Sequence, residues 1–202
     1  MVDQTSSPDG PEELPVGDDG VFASARRVVT REIEASLSRV DGDEARALVE
    51  AVIGCERVFV LGAGRSKLAV DGFAMRLVHL GLTAHVAADV TTPAIGPDDL
   101  LIVCSGSGET PGVVSIAHQA TRAGARVAVV TAVPESTLAE RADLVVRLRE
   151  YNQDHELSAS TQFVGTLFEQ AAFVFFDCLV IVMQRLGGVS AEDMFARHTN
   201  LE

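Results

Sequence analysis

The stretch LLIVCSGSGETPGVVSIAHQATRAGARVAVVT, residues 100–131, combines two short apolar runs with a polar turn and a helix-length segment between them. The runs at Leu100–Cys104 and Val127–Thr131 are rich in Val, Leu and Ile, which is typical of strands covered on both faces in a parallel sheet. The segment Pro111–Ala123 is long enough to be the crossover helix that parallel strands require. This stretch therefore predicts a strand–helix–strand unit and an α/β fold.

The same alternation extends to both sides of this stretch. Three further apolar runs predict strands, at Val58–Leu61, Ala84–Ala87 and Leu144–Leu148. Two further segments between strands have the length of helices, Ser66–Leu80 and Ser136–Arg141, whereas residues 88–99 are too short and too rich in Pro and Gly for a full helix. We therefore expect a doubly wound, flavodoxin-like sheet with right-handed crossovers, in a three-layer αβα sandwich.

The two ends of the chain flank this alternating region. Residues 1–19 are acidic and rich in Pro, Gly and Ser, so we expect a disordered tail there and one domain over residues 20–202. The helical spacing of apolar residues predicts helices at Val21–Val40 and from Asp43 to about Ile53. Ser190, followed three positions later by an acidic residue, predicts the capped start of a short last helix.

A long helix is predicted from about Thr161 to Leu186. Its apolar residues cover nearly the whole circumference, so it needs cover on most sides. One domain of this size gives a helix near its end too little cover, and we therefore expect an oligomer interface here. Three polar side chains argue against a membrane span, those of Glu169, Gln170 and Asp177.

Composition and charge limit the possible partners and the compartment. The 202 residues carry a formal net charge of −13, and residues 1–20 contain six acidic side chains but no Lys or Arg. Nucleic acids and anionic membranes need clustered cations, so we expect neither as a partner. The start of the chain has no signal-peptide pattern. The three cysteines, Cys55, Cys104 and Cys178, have no metal-site spacing, and we expect reduced, buried thiols in a cytoplasmic protein.

The residues CSGSGETPG, from Cys104 to Gly112, directly follow a predicted strand. Gly106 and Gly108 allow the backbone to turn tightly and to approach a ligand. The hydroxyl side chains of this loop are those of Ser105, Ser107 and Thr110. The pair Thr110–Pro111 is typical of a helix start, and a helix N-terminus favours an anion. The loop therefore predicts a phosphate cradle; an ordinary strand-to-helix connection is the alternative.

A second loop, LGAGRSK at residues 61–67, also joins a predicted strand to a predicted helix. Its two glycines match part of the dinucleotide-binding fingerprint, but the third glycine is missing, so the match is weak. Ser66 could instead cap the helix and contact a substrate, with Arg65 or Lys67 supplying a positive charge. For those two cations, solvation at the surface is the alternative.

Glu169 lies within an apolar segment, GTLFEQAAFVFF at residues 165–176. Burying an unpaired carboxylate costs free energy, and a protein that keeps one there commonly uses it as a base. The alternative is a structural ion pair, with Arg76 or Arg197 as the partner. We favour catalysis for Glu169 and a structural role for Asp177.

His79 lies in the segment AMRLVHLG, residues 74–81. Its imidazole could polarise a carbonyl or move a proton during ring opening of a sugar. A single His on a largely apolar helix is more often a hydrogen-bonded core residue, so the residues alone favour that reading. No set of His, Cys and carboxylate residues in the sequence has the spacing of a metal site.

Five segments together resemble a known family: GAGRS, FAMRLVHLG, SGSGET, GTLFE and the terminal RHTNLE. SGSGET is typical of the sugar isomerase (SIS) domain group as a whole. GTLFE and RHTNLE narrow the resemblance to the 6-phospho-3-hexuloisomerases, and it extends from about Val21 to Glu202. The resemblance implies a five-stranded parallel sheet, a homotetramer, no metal and no cofactor. It also implies functional coupling to a hexulose-6-phosphate synthase in formaldehyde fixation by the ribulose monophosphate pathway.

The activity that the resemblance implies is the interconversion of D-arabino-hex-3-ulose 6-phosphate and D-fructose 6-phosphate through a cis-enediol. Carried onto matching positions, Glu169 and His79 are catalytic. The implied substrate-binding residues are Gly64, Arg65, Ser66, Ser105, Gly106, Ser107, Gly108, Glu109 and Thr110. Two main alternatives stay open. One is another SIS isomerase, acting on arabinose 5-phosphate or a phosphoheptose; the other is a non-catalytic sugar-phosphate sensor, although no basic DNA-binding segment is present.

Overall fold

The computed structural model describes residues 20–148, 160–163 and 165–201. Within these residues, five parallel strands form one sheet in the order β2-β1-β3-β4-β5. The strands are β1 Val58–Gly62, β2 Ala84–Val86, β3 Leu100–Cys104, β4 Arg126–Thr131 and β5 Leu144–Arg147. The predicted α/β fold with a five-stranded parallel sheet is confirmed.

Helices cover both faces of this sheet. They are α1 Val21–Leu37, α2 Gly42–Gly54, α3 Gly64–Leu80, α4 Pro111–Arg122, α5 Thr166–Gly187 and α6 Ala191–Ala196. Successive strand residues point to opposite faces, so Val58 and Val60 join a core with α2, α3 and α5, while Phe59 and Leu61 join a second core with α4. The molecule is therefore a three-layer αβα sandwich, with α1 packed against α5.

The path of the chain through the sheet makes it doubly wound. From β1 the chain passes through α3 to the edge strand β2, whereas from β3 it passes through α4 towards β4 and β5. Right-handed crossovers in these two directions place α3 and α4 on opposite faces of the sheet. The connection from β2 to β3 contains no helix, as expected from its length and composition.

Helix α5 is long and apolar enough, by length and composition, to cross a membrane, but half of its most apolar window is buried inside the fold. Phe168, Phe176 and Leu179 pack into the core. The other side carries exposed apolar residues, among them Phe173 and Ile181. The helix is therefore a core element of this fold with one side uncovered in a single chain.

Two helix predictions need correction. Helix α5 begins at Thr166, not near Thr161, because Gly165 has a left-handed backbone with φ +81°. The segment Ser136–Arg141 forms only one 3₁₀ turn, Ala139–Arg141. The amides of Thr137 and Leu138, just before that turn, donate to the Glu109 carboxylate and the Gly108 carbonyl. Because these amides bond to another segment, they do not form the hydrogen bonds of an α-helix.

The predictions for the tail and the thiols have different outcomes. The tail at residues 1–19 lies outside the described residues, so its predicted disorder stays a prediction. Cys104 is buried as expected and Cys55 is half-buried. The prediction is wrong for Cys178, which is exposed because it lies on the uncovered side of α5.

Candidate functional site

The site lies where β1 and β3 end side by side at the centre of the sheet, with Gly62 paired to Cys104. Helix α3 leaves β1 on one face and α4 leaves β3 on the other. The two loops that follow these strands therefore diverge and open a crevice, which is the usual ligand position in a doubly wound sheet. Both loops singled out from the sequence begin at this crevice.

A cavity of about 220 Å³ occupies the crevice. It is small compared with sites for drug-sized ligands, which span about 300–1,000 Å³, and suits a small polar metabolite. The lining residues are Ala63, Ser66, Cys104, Ser105, Gly106, Ser107, Thr110, Gly165, Phe168 and Glu169. The fold thus brings the start of α5, distant in sequence, against both loops.

Gly108 shows why the loop after β3 needs glycine. Its φ is +65°, and its amide donates to the Ser105 carbonyl at 3.2 Å. A Cβ at this position would lie 1.9 Å from the Ser136 hydroxyl oxygen. Ser136 is only 2% exposed, so it has little room to move. The turn therefore depends on both the left-handed backbone and the missing side chain of Gly108.

The N-terminus of α4 opens onto the same cavity. Thr110 is the N-cap and Pro111 follows it, as the sequence predicted. The Thr110 side chain makes no capping hydrogen bond, so its hydroxyl is available to a ligand. The first amides of a helix have no partner inside the helix and carry partial positive charge. Together with the hydroxyls of Ser105 and Ser107, this end of α4 can hold a phosphate group.

Ser66 and Cys104 form the opposite wall of the cavity. Helix α3 begins at Gly64 with Ala63 as its N-cap, so the interpretation of Ser66 as the cap is wrong. Ser66 instead lies in the first turn of α3, is 8% exposed and lines the cavity together with Cys104. Burial, reinforced by the negative charge of Glu169, raises the pKa of Cys104 to about 12. The thiol therefore stays protonated near neutral pH and adds no negative charge to the cavity.

Glu169 lies in the first turn of α5, where its amide donates to the Gly165 carbonyl. Its side chain is 21% exposed and pairs with Arg65, whose Nε lies 2.7 Å from Oε2. The carboxylate is thus less buried than the sequence suggested, and its ion-pair partner is Arg65, not Arg76 or Arg197. Because the Arg65 side chain is 58% exposed, this pair contributes little to stability.

His79 lies at the other end of α3 from the cavity. The 13 helical steps from Ser66 to His79 span roughly 20 Å along the helix, at about 1.5 Å per step. His79 is 4% exposed, its ring stacks on that of His198 at 5.1 Å, and its carbonyl accepts from Arg197. Within one chain the structure therefore does not bring His79 to Glu169.

Glu109 has a local structural partner. Its two carboxylate oxygens accept from the amide and the hydroxyl of Thr137, at 2.6 and 2.8 Å. These hydrogen bonds hold the pKa of Glu109 below its usual value. Glu109 thus ties the Ser/Gly loop to the segment before β5, and its side chain is committed outside the cavity.

The predicted site residues therefore fall into three groups. Those that line the cavity are Ser66, Ser105, Gly106, Ser107, Thr110 and Glu169. Those that frame it without lining it are Gly64, Arg65, Gly108 and Glu109. His79 lies apart from both groups. The lining residues to which the sequence assigned no role are Ala63, Cys104, Gly165 and Phe168. Each lies inside one of the quoted motifs, and that membership was the signal that could have found them.

The protein-family model of the SIS domain matches residues 52–172, which include both loops and the start of α5. The chain belongs to the SIS domain family. Among the described residues, no group of three or more His, Cys, Asp or Glu side chains is placed to hold a metal ion.

The sequence similarity of this SIS domain protein to its relatives covers most of the chain. The 3-hexulose-6-phosphate isomerase of Mycobacterium gastri is 43% identical over 98% of this chain and 99% of its own length. The 3-hexulose-6-phosphate isomerase of Bacillus subtilis is 35% identical over 86% of this chain and 95% of its own length. The match to these isomerases thus extends well beyond the SIS motif region.

A solved structure agrees with these relatives. It is the crystal structure of a Methanococcus jannaschii protein for which a molecular function of 3-hexulose-6-phosphate isomerase was inferred. It superposes on this SIS domain protein with a TM-score of 0.78 at 28% identity, over 89% of this chain and 99% of that one. The sheet order and helix layers described above are therefore those of a known sugar-phosphate isomerase fold.

Proposed function

We propose that this protein interconverts D-arabino-hex-3-ulose 6-phosphate and D-fructose 6-phosphate. The observation that carries the proposal is one cavity that contains both an anion cradle and a carboxylate, at Ser105–Thr110 and Glu169. The relatives that are 43% and 35% identical are 3-hexulose-6-phosphate isomerases. A phosphate handle and a nearby base are the two parts that this isomerisation needs.

The cradle fixes one end of the substrate. The phosphate binds the first amides of α4 and the hydroxyls of Ser105, Ser107 and Thr110, with Ser66 on the opposite wall. These are local groups, which matters because the chain as a whole is strongly acidic. Holding the phosphate positions the carbon chain and turns the proton transfer into a step within one complex.

Glu169 is the proposed proton carrier. Its carboxylate removes the proton from C2 of the 3-ketose while O3 gains a proton, which gives a 2,3-enediol. O2 then loses its proton and Glu169, whose proton can exchange with solvent, delivers a proton to C3 to leave the 2-ketose. The hydroxyl groups around the cavity stabilise the charge that develops on the enediol oxygens. Arg65 pairs with Glu169 in the free chain. Because its side chain is largely exposed, it can move away from Glu169 when the substrate binds.

The decisive experiment determines which carbon of the sugar phosphate exchanges its hydrogen with solvent. Fructose 6-phosphate is incubated with the protein in D₂O, and NMR records new species and the sites of deuterium uptake. We expect a 3-ketose and deuterium at C3, because enolisation towards C3 removes that proton. Uptake at C1 would indicate an aldose–ketose isomerase instead, and binding by calorimetry without turnover or exchange would favour the sugar-phosphate sensor.

A catalytic role for His79 requires a second chain. We propose a homotetramer in which the exposed ring of His198 borders the cavity of a neighbouring chain, with the buried ring of His79 stacked behind it. The helix faces next to this pair are apolar and exposed, with Met75 and Val78 on α3 and Ile181 on α5. Exposed apolar residues on two helices that pack against each other, α3 and α5, are typical of an interface between chains.

The substitution Ile181→Glu tests this arrangement. A charge in the proposed interface opposes association, so we expect the mass from sedimentation equilibrium to fall below that of the wild-type tetramer. Activity per chain should fall with it, because each site would lose its neighbour's His198 and His79. Val90→Glu is the control, since Val90 is fully exposed on the β2–β3 connection. A monomeric wild-type protein, or full activity after dissociation, would contradict the shared site.

The reaction also implies a place in metabolism. We propose that the 3-ketose is supplied by a hexulose-6-phosphate synthase, as in formaldehyde fixation by the ribulose monophosphate pathway, and that the protein acts in the cytoplasm. The names of the relatives support the chemistry of this step. Neither a cofactor nor a metal is required for proton transfer by a carboxylate.

A further inference from the structure

Glu32, on α1, is a buried carboxylate that the proposed chemistry does not use. It is 3% exposed, although α1 lies at the outside of the fold and its neighbour Glu34 is exposed. A charged group is buried at high cost unless hydrogen bonds replace its water. The three bonds that it accepts therefore indicate what this carboxylate does.

Within the part of the chain that the structure describes, the three donors come from the short segment 160–162. The Ser160 hydroxyl and the Gln162 side-chain amide donate to Oε2 at 2.7 and 2.9 Å. The Thr161 backbone amide donates to Oε1 at 3.0 Å. Each partner is a donor, so the site needs a group that only accepts, and an ionised carboxylate is such a group.

The anchored segment leads directly into the catalytic turn. The Thr166 amide donates to the Phe163 carbonyl at 3.0 Å. Gly165 then lines the cavity, and the Glu169 amide donates to its carbonyl at 3.2 Å. Glu32 therefore holds the chain three residues before Gly165, the N-cap residue of α5.

We propose that Glu32 is a positioning residue of the active site, which sets the cavity edge at Gly165 and the reach of Glu169 without touching the substrate. The inference rests on the proposed isomerase function. It assigns to α1, an element outside the SIS motif region, a direct influence on the geometry of the base.

The test is Glu32→Gln, with Glu34→Gln as the matched control on the same helix. If the amide oxygen of the new side chain takes over from Oε2, its NH₂ group faces the Thr161 amide, and two donors oppose each other. We expect kcat to fall about 10- to 100-fold, because a displacement of about 1 Å in catalytic geometry can cost that much. The inhibition constant of fructose 6-phosphate should change little, since the phosphate cradle is untouched.

A double variant separates positioning from a general loss of stability. In a Glu169→Gln background, Glu32→Gln should cause little further loss of kcat, because the group that it positions is already inactive. Additive losses, or a parallel loss of kcat and of affinity, would overturn the proposal. If Glu32→Gln fails to fold, Gln162→Ala removes a single donor, and a smaller loss confined to kcat is expected.

A measurement that does not need turnover tests the role of Glu32 separately from the proposed isomerase function. Hydrogen exchange at the Glu169 amide should be faster in Glu32→Gln than in the wild type or in Glu34→Gln, whichever sugar phosphate is the substrate. Unchanged exchange and unchanged kcat would refute the positioning role. A wild-type protein that does not turn over the 3-ketose would refute the proposed function, while faster exchange in the variant would still support the anchor.

Discussion

Replacing Glu169 with Gln should lower kcat by about 10²- to 10⁴-fold, the usual contribution of a positioned general base. The amide keeps the shape of the side chain but cannot take the proton from C2. Binding of fructose 6-phosphate should persist, because the cradle at the N-terminus of α4 does not include this side chain. Steady-state kinetics and the inhibition constant of fructose 6-phosphate measure the two effects separately.

The matched control for that variant is Glu56→Gln. Glu56 is exposed and precedes β1, at the end of the sheet opposite to the cavity. Both variants remove one negative charge, so a general electrostatic effect would appear in both. The thermal midpoint of Glu169→Gln should stay close to that of the wild type, since the Arg65 side of its ion pair is 58% exposed and solvent screens the attraction. Substantial turnover by Glu169→Gln would remove Glu169 from the mechanism.

Replacing Gly108 with Ala should disrupt the phosphate cradle. The new Cβ would lie 1.9 Å from the Ser136 hydroxyl oxygen, and the left-handed backbone costs about 1–2 kcal/mol for a residue with a side chain. Either the loop or Ser136 must move, and the loop carries the hydroxyls of Ser105 and Ser107. We expect a rise in KM of more than about tenfold, equivalent to about 1.4 kcal/mol, with a lower thermal midpoint.

Two companion variants show whether the overlap is the cause. Gly42→Ala is the control, because a Cβ at Gly42 meets no atom within 4 Å and its φ is not positive. Adding Ser136→Gly to Gly108→Ala removes the atoms that overlap and should restore part of the affinity, leaving the cost of the backbone. Wild-type affinity in Gly108→Ala would show that this turn does not hold the phosphate.

The local pattern of the chain was sufficient to predict the sheet and the crevice. Apolar runs of four or five residues, most of them separated by helix-length segments, predict parallel strands. The Gly- and Ser-rich loops after β1 and β3 mark the ends of strands at which doubly wound sheets usually bind ligands. Glu169 also stood out, since an acidic residue in an apolar segment is costly unless it has a role. These signals are local because period and composition act over a few residues.

Contacts between segments that are distant in the sequence could not be predicted from these local patterns. Three such contacts depend on how separate elements pack. Arg65 pairs with Glu169, Glu32 holds the residues before α5, and Ser136 lies next to Gly108. The same packing places His79 far from the cavity of its own chain.

The sequence by itself determined the layers of this protein and pointed to the two loops and to Glu169 that the proposed function uses, because each follows from periodicity, turn chemistry or the cost of burying a charge. Only the tertiary structure decided which residues meet around the cavity and which of them contact Glu169 and the residues before it. The physical reason is that hydrogen bonds and steric overlaps act over a few ångströms in space, whatever the separation along the chain.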